Sequence, residues 1–156
     1  MKDPKVLSSV AEFHKTFDHP IEQKPIIPDE KRCQLRVSLL AEELKELEQA
    51  IKDNDIVEIA DALCDIQYVL SGAVLEFGLG DKFQSLFEEV QRSNMSKACK
   101  NMAEAKATVD HYKETEGVEA IIKEKDGKFL VYRESDNKTL KSVYYSPADI
   151  STLLNN

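Results

Sequence analysis

The chain has 156 residues, 42% of them hydrophobic, and a formal net charge of −8. That is enough for one main domain with a proper core and a small appendage, and the acidic balance argues against nucleic acid or an anionic membrane surface as partner. No apolar run is long enough for a membrane span, Met1-Lys2-Asp3-Pro4-Lys5 leads into no signal-peptide core, and the three cysteines form no CxxC pair. Reduced thiols and a cytoplasmic location are therefore expected, with Cys64 in the core.

In chain order, Val6, Val10, Phe13 and Phe17 recur at helical spacing and predict a short first helix. His14 lies beside that face, either as a packing histidine or as a contact to a substrate base. Pro20, Pro25 and Pro28 then impose an extended connector. Asp29 is the expected cap of a long second helix running to about Lys52, and the polar turn Lys52-Asp53-Asn54-Asp55 predicts an antiparallel return into a third helix over Ile56 to Phe77. Gly78-Leu79-Gly80 should stop that helix. A fourth, from Lys82 to about Gln91, should turn Phe83, Leu86, Phe87 and Val90 inward, and a mostly polar fifth should span Met102 to Tyr112. After Gly117 the pattern changes. Val118 to Lys123, Lys128 to Arg133 and Leu140 to Tyr145 read as strands, with Asp126-Gly127 as a hairpin turn. Ser146-Pro147-Ala148-Asp149 then reads as the start of a terminal helix.

The two central helices carry acids where a packing face should be apolar. Glu43 falls between Leu39 and Leu47, and Glu46 between Leu35 and Leu39, so both are expected to point inward. The third helix is apolar almost all round, which predicts burial, except for a stripe of Glu58, Asp61, Asp65, Gly72 and Glu76. Its own length holds no lysine or arginine to compensate them. Buried carboxylates cost several kcal/mol each unless something positive meets them. A divalent cation, Mg²⁺ or Mn²⁺, is the simplest answer. A tight turn would also bring Glu46 and Asp61 to nearly the same level, so Glu43, Glu46, Glu58 and Asp61 can converge.

The pairing of Glu42-Glu43-x-x-Glu46 with Glu58-x-x-Asp61, followed by Arg92-Ser93-Asn94-Met95-Ser96-Lys97, resembles the MazG-like, all-α nucleoside triphosphate pyrophosphohydrolase superfamily. The last run looks like its phosphoribosyl-ATP pyrophosphohydrolase-like branch. The resemblance covers about residues 5 to 100, so the organisation expected is a MazG-like domain over 1–100 and a C-terminal extension over 101–156. It implies Mg²⁺-dependent attack of water between the α- and β-phosphorus atoms of a nucleoside triphosphate, giving a monophosphate and pyrophosphate. Glu43, Glu46, Glu58 and Asp61 would hold the metal, Glu42 would orient or deprotonate the water, and Asn94 and Lys97 would meet the phosphates. The alternatives are a dUTPase- or dCTPase-type member, or a catalytically silent helical interaction protein. The wide apolar faces predict a homodimer or homotetramer. The expected fold is therefore mainly α, a helical bundle completed by oligomerisation, with a small C-terminal β-meander plus a short helix.

Overall fold

The computed structural model describes residues 2 and 4–155; Met1, Asp3 and Asn156, and with them part of the amino-terminal run read above, lie outside the described residues. The chain divides into two compact units, Met1–Phe83 and Gln84–Asn156. The structure is mainly helical, as the sequence predicts.

The N-terminal unit holds α1 (Val6–Thr16), α2 (Glu30–Asp53) and α3 (Ile56–Glu76). Each long helix starts on an aspartate that satisfies otherwise orphaned N–H groups. Asp29 accepts from the Arg32 N–H, and Asp55 accepts from Val57 and Glu58. Between α2 and α3, Asn54 takes the left-handed conformation and returns its N–H to the end of α2. The turn is so short that the two helices must fold back on each other, with Ala50 and Ala62 buried. Helix α1 packs on α3 and contributes buried Val10 and His14.

The proline connector does more than link α1 to α2. Its Glu22 N–H donates to the Leu75 carbonyl at 3.0 Å, and its Ile26 N–H donates to Phe77 at 3.1 Å. Carbonyls at the end of α3 thus gain partners from extended backbone. Gly78 makes this possible: its φ is +67°, and a Cβ there would stand 1.8 Å from the Lys24 carbonyl oxygen.

The C-terminal unit holds most of α4 (Phe83–Met95), then α5 (Met102–Glu116), β1 (Ala120–Lys125), β2 (Lys128–Arg133) and α6 (Ile150–Asn155). β1 and β2 pair antiparallel with Lys125 opposite Lys128, and Asp126 and Gly127 both have positive φ, as the Asp-Gly turn requires. Cys99, Ala105, Val131 and Leu140 form the core of this unit, flanked by Val109, Ile122 and Phe129. Asn101 caps α5 by accepting the Glu104 N–H, and Gly117 ends it in the left-handed conformation.

Several expectations are corrected. Among the described residues the third strand does not form: the 140–145 segment meets β2 only through a bridge from Thr139 to Tyr132 and the Leu140 N–H to Val131. The backbone N–H groups that a ladder needs go elsewhere, Lys141 to the Tyr112 hydroxyl, Val143 to Thr108 and Tyr144 to Ser142. Helix α4 runs on to Met95, so Arg92, Ser93 and Asn94 are helical, and Phe87 is exposed rather than inward. Helix α6 begins at Ile150 with Asp149 as its cap, since the Asp149 carboxylate takes the Thr152 N–H and both neighbouring hydroxyls. Cys64 is exposed, and Cys99 is the buried cysteine.

The two positive-φ glycines at turns should respond differently to alanine. Gly127 has nothing within 4 Å of a Cβ, so Gly127→Ala should cost about 1–2 kcal/mol for left-handed strain alone. Gly78→Ala adds a clash with backbone, and urea denaturation should show a loss clearly larger than that of Gly127→Ala.

Candidate active site

The acids of α2 and α3 stand in graded environments. Glu43 is half-buried, and its Oε2 is buried with no hydrogen-bond partner. Burial first, then the negative charges of Asp65, Glu46, Glu42 and Asp61, push its carboxyl above the usual carboxylate range. Those four names matter, because they place acids of both helices within electrostatic reach of one oxygen-rich point. Glu58 does not belong to that set. Glu42, Glu46, Glu58 and Asp61 are exposed, which corrects the inward placement expected for Glu46 and the buried stripe expected at the start of α3. The amino-terminal half of α3 is open on more than its acidic side, with Ile56 73% and Val57 71% exposed.

Among the described residues no three acidic, histidine or cysteine side chains already stand as a metal cage. Mg²⁺ does not need one, since it usually takes one or two carboxylates and completes its shell with water and substrate phosphate. The donor set here is oxygen only, and an orphaned buried carboxylate oxygen lies at its centre. The residues present therefore fit a hard divalent cation.

The far end of the acidic stripe has a different solution. Glu76 is 1% exposed and receives both Arg32 and Arg36 from α2, Arg32 also through its Nε at 3.1 Å. A search for cations within α3 alone misses these partners, 40 and 44 residues away. Burial works against ionisation of Glu76, yet the two guanidinium groups outweigh it and hold the carboxyl below its usual range. Arg36 also donates to His14 Nε2 at 3.2 Å. An arginine has no acceptor, so His14 Nε2 must accept, and Nδ1 carries the proton that goes to the Pro20 carbonyl at 2.8 Å. Burial further favours the neutral ring. Gly72 opens the space for this group, since a Cβ there would lie 2.6 Å from Arg36 Nη1 and 3.1 Å from His14 Nε2.

Beside this network lies a cavity of about 230 Å³ bounded by α1, α2 and α3. Phe13, His19 and Tyr68 give it aromatic walls, Phe13 stacking on His19 at 5.7 Å and meeting Tyr68 edge-on. His14 thus belongs to the lining of a cavity and to a buried network at once.

In the C-terminal unit, the run 92–97 divides its work. Arg92 pairs with Glu89, holding that carboxyl down to about 2, and donates to Ser146 and Pro147. Ser93 bonds the Tyr145 hydroxyl, and the Ser96 hydroxyl accepts from the Ser146 N–H. Asn94 and Lys97 are left with each other, Lys97 Nζ donating to Asn94 Oδ1 at 2.8 Å. Arg92 is thus a structural anchor.

Replacing Glu76 by Gln removes the shared anion of two arginines, one of them buried, and should cost about 3–5 kcal/mol in urea denaturation. The pH dependence has a definite sign. A depressed folded-state carboxyl contributes stability that is complete above the unfolded value, about 4.3, and that is lost as pH falls through the folded value. The acid limb of the stability curve should therefore be shallower in Glu76→Gln than in wild type.

The family model for phosphoribosyl-ATP pyrophosphohydrolase matches residues 10–94, more than half of the chain. That span takes in α2, α3, all five candidate acids and Asn94. An uncharacterized protein, L479, of Acanthamoeba polyphaga mimivirus is 25% identical, the match covering 94% of each chain. With its paired acidic helices matched in one model that runs on to Asn94, the chain belongs to the phosphoribosyl-ATP pyrophosphohydrolase family.

Proposed function

We propose that the protein is a Mg²⁺-dependent nucleoside triphosphate pyrophosphohydrolase that cleaves between the α- and β-phosphates. Family membership supports a pyrophosphohydrolase acting on a nucleotide. The observation that carries the finer reading is Glu43, an acid with an unpartnered buried oxygen inside the negative field of four others. A cluster that repels itself in this way calls for a cation, which Glu43, Glu46 and Asp61 would hold; Glu58, the fourth ligand the resemblance implies, stands outside that cluster. When bound, Mg²⁺ would neutralise phosphate oxygens and acidify water.

The remaining chemistry falls to the chain. Glu42 is exposed beside the cluster and takes the proton of the attacking water. The water oxygen bonds to phosphorus, the bridging P–O bond breaks, and pyrophosphate leaves with the electron pair. The cavity beside His14 takes the base, its size suited to one heterocycle rather than a whole nucleotide.

The same reading includes a homo-oligomer. Val37, Leu44 and Ile51 on α2, and Ile56, Leu63 and Leu70 on α3, recur every seventh residue and are all exposed. Two heptad rows on one hairpin suit helix-on-helix packing with a second copy. Sedimentation should show at least a dimer for wild type and a monomer for Leu63→Glu, and a monomeric wild type would overturn this part.

Pyrophosphate release should be measured with ribo- and deoxynucleoside triphosphates plus Mg²⁺. A few substrates should turn over in wild type, with a loss of at least about a hundredfold in Glu46→Gln, and Mg²⁺ should raise the wild-type melting temperature. No turnover together with an unmoved melting temperature would favour the helical interaction protein.

A further inference from the structure

One side of α3 faces α2 along most of its length. Ala62, Asp65, Val69, Gly72 and Glu76 recur at alternating spacings of three and four residues, so they share that side. Far from the turn, its partners on α2 are explicit. Glu76 receives Arg32 and Arg36, and a Cβ on Gly72 would lie 2.6 Å from Arg36 Nη1. The two helices run antiparallel from a tight turn, so this register carries back towards it. Seven residues back from Gly72 along α3 stands Asp65, and seven residues on from Arg36 along α2 stands Glu43. Seven residues make nearly two turns, about 10 Å of rise, and bring the same face of each helix round again. Glu43 and Asp65 therefore stand opposite each other.

Their surroundings agree with that pairing. Both are half-buried, whereas Glu42, Glu46, Glu58 and Asp61 are exposed. After burial itself, the largest upward push on the Glu43 carboxyl comes from Asp65. Asp65 has no hydrogen-bond or ion-pair partner among the described residues, and Glu43 Oε2 is buried without one. Two half-buried carboxylates facing each other are costly unless something positive stands between them. Where α2 and α3 enclose Glu76, arginine supplies that charge; here the chain supplies none.

We propose that Asp65 is a further ligand for the divalent cation, opposite Glu43 and one turn beyond Asp61. This ligand belongs to the cation site of the proposed hydrolase and rests on that reading. Asp65 lies outside the pairing of Glu42-Glu43-x-x-Glu46 with Glu58-x-x-Asp61, so the acidic motif alone does not mark it. Asp61 and Asp65 are neighbours on the surface of α3, as Glu43 and Glu46 are on α2. Each helix thus offers two carboxylates, an all-oxygen set that suits Mg²⁺ or Mn²⁺.

Mn²⁺ binding to the full chain without nucleotide, followed by calorimetry, reads this ligand apart from turnover. Asp65→Asn keeps the size of the side chain and removes its charge, and should weaken Mn²⁺ binding by about tenfold or more. Asp65→Glu should recover part of that loss. Glu48→Gln removes an exposed acid of α2 that does not act on Glu43, and should leave binding almost unchanged. Without metal, Asp65→Asn should melt no lower than wild type, because it relieves repulsion on Glu43; with Mn²⁺ it should gain less. A lower melting temperature without metal would mark a structural role and overturn the assignment. So would wild-type Mn²⁺ affinity in Asp65→Asn, equal losses in Asp65→Asn and Glu48→Gln, or a wild type that binds no Mn²⁺. Pyrophosphate release measured in parallel separates the two readings. Mn²⁺ binding that depends on Asp65, with no triphosphate hydrolysed, keeps the ligand and removes the hydrolase. Mg²⁺-dependent hydrolysis with Mn²⁺ binding indifferent to Asp65 does the reverse.

Discussion

The N-terminal unit depends on one buried carboxylate. Glu76 joins the last turn of α3 to the first turns of α2 through Arg32 and Arg36, and Arg36 carries the link on to His14 of α1. Three helices thus meet at a charged point where Glu76, Arg36 and His14 are buried and Arg32 is partly open. Taking such charges out of water is costly, and the cost is recovered only because the partners arrive in number and Gly72 leaves room for them. The network also fixes the tautomer of His14, which lines the adjoining cavity.

Charge is distributed unevenly along the chain. The N-terminal unit has 17 acidic against 10 basic residues, and the C-terminal unit 12 against 11. Almost the whole negative excess therefore sits in the N-terminal unit. Among the described residues of the N-terminal unit, Glu76 at the end of α3 is answered by two arginines, while Glu43 on α2 has a buried carboxylate oxygen with no hydrogen-bond partner. The contrast between these two acids is more telling than either alone. A chain able to neutralise Glu76 so thoroughly leaves Glu43 with an idle oxygen.

Much of this was legible in the sequence, where local rules govern. Asp29 and Asp55 announce their helices because a short acceptor side chain before an apolar repeat has few other uses. The Asp-Gly turn and the stop at Gly78 follow in the same way from backbone sterics. What periodicity could not tell was which surfaces the chain covers for itself. The apolar coat of α3 shows that a surface prefers cover, not that its own chain supplies it, and Ile56, Val57 and Leu63 are open. Glu76 was read as uncompensated because its partners lie on another helix. The strand expected at 140–145 failed for a similar reason: its donors are claimed by Tyr112 and Thr108, some thirty residues earlier.

The buried residues nearest the acids also have a consequence for the spacing of the site. Ala50 and Ala62 are packed where larger side chains would hold α2 and α3 apart. Helix axes separate by about 8–10 Å according to the residues at their contact, and alanine favours the lower end. The spacing of α2 and α3 is therefore governed here by two methyl groups. A bulkier pair would part the helices without touching a single charged atom, so their separation is set by residues that carry no chemistry of their own.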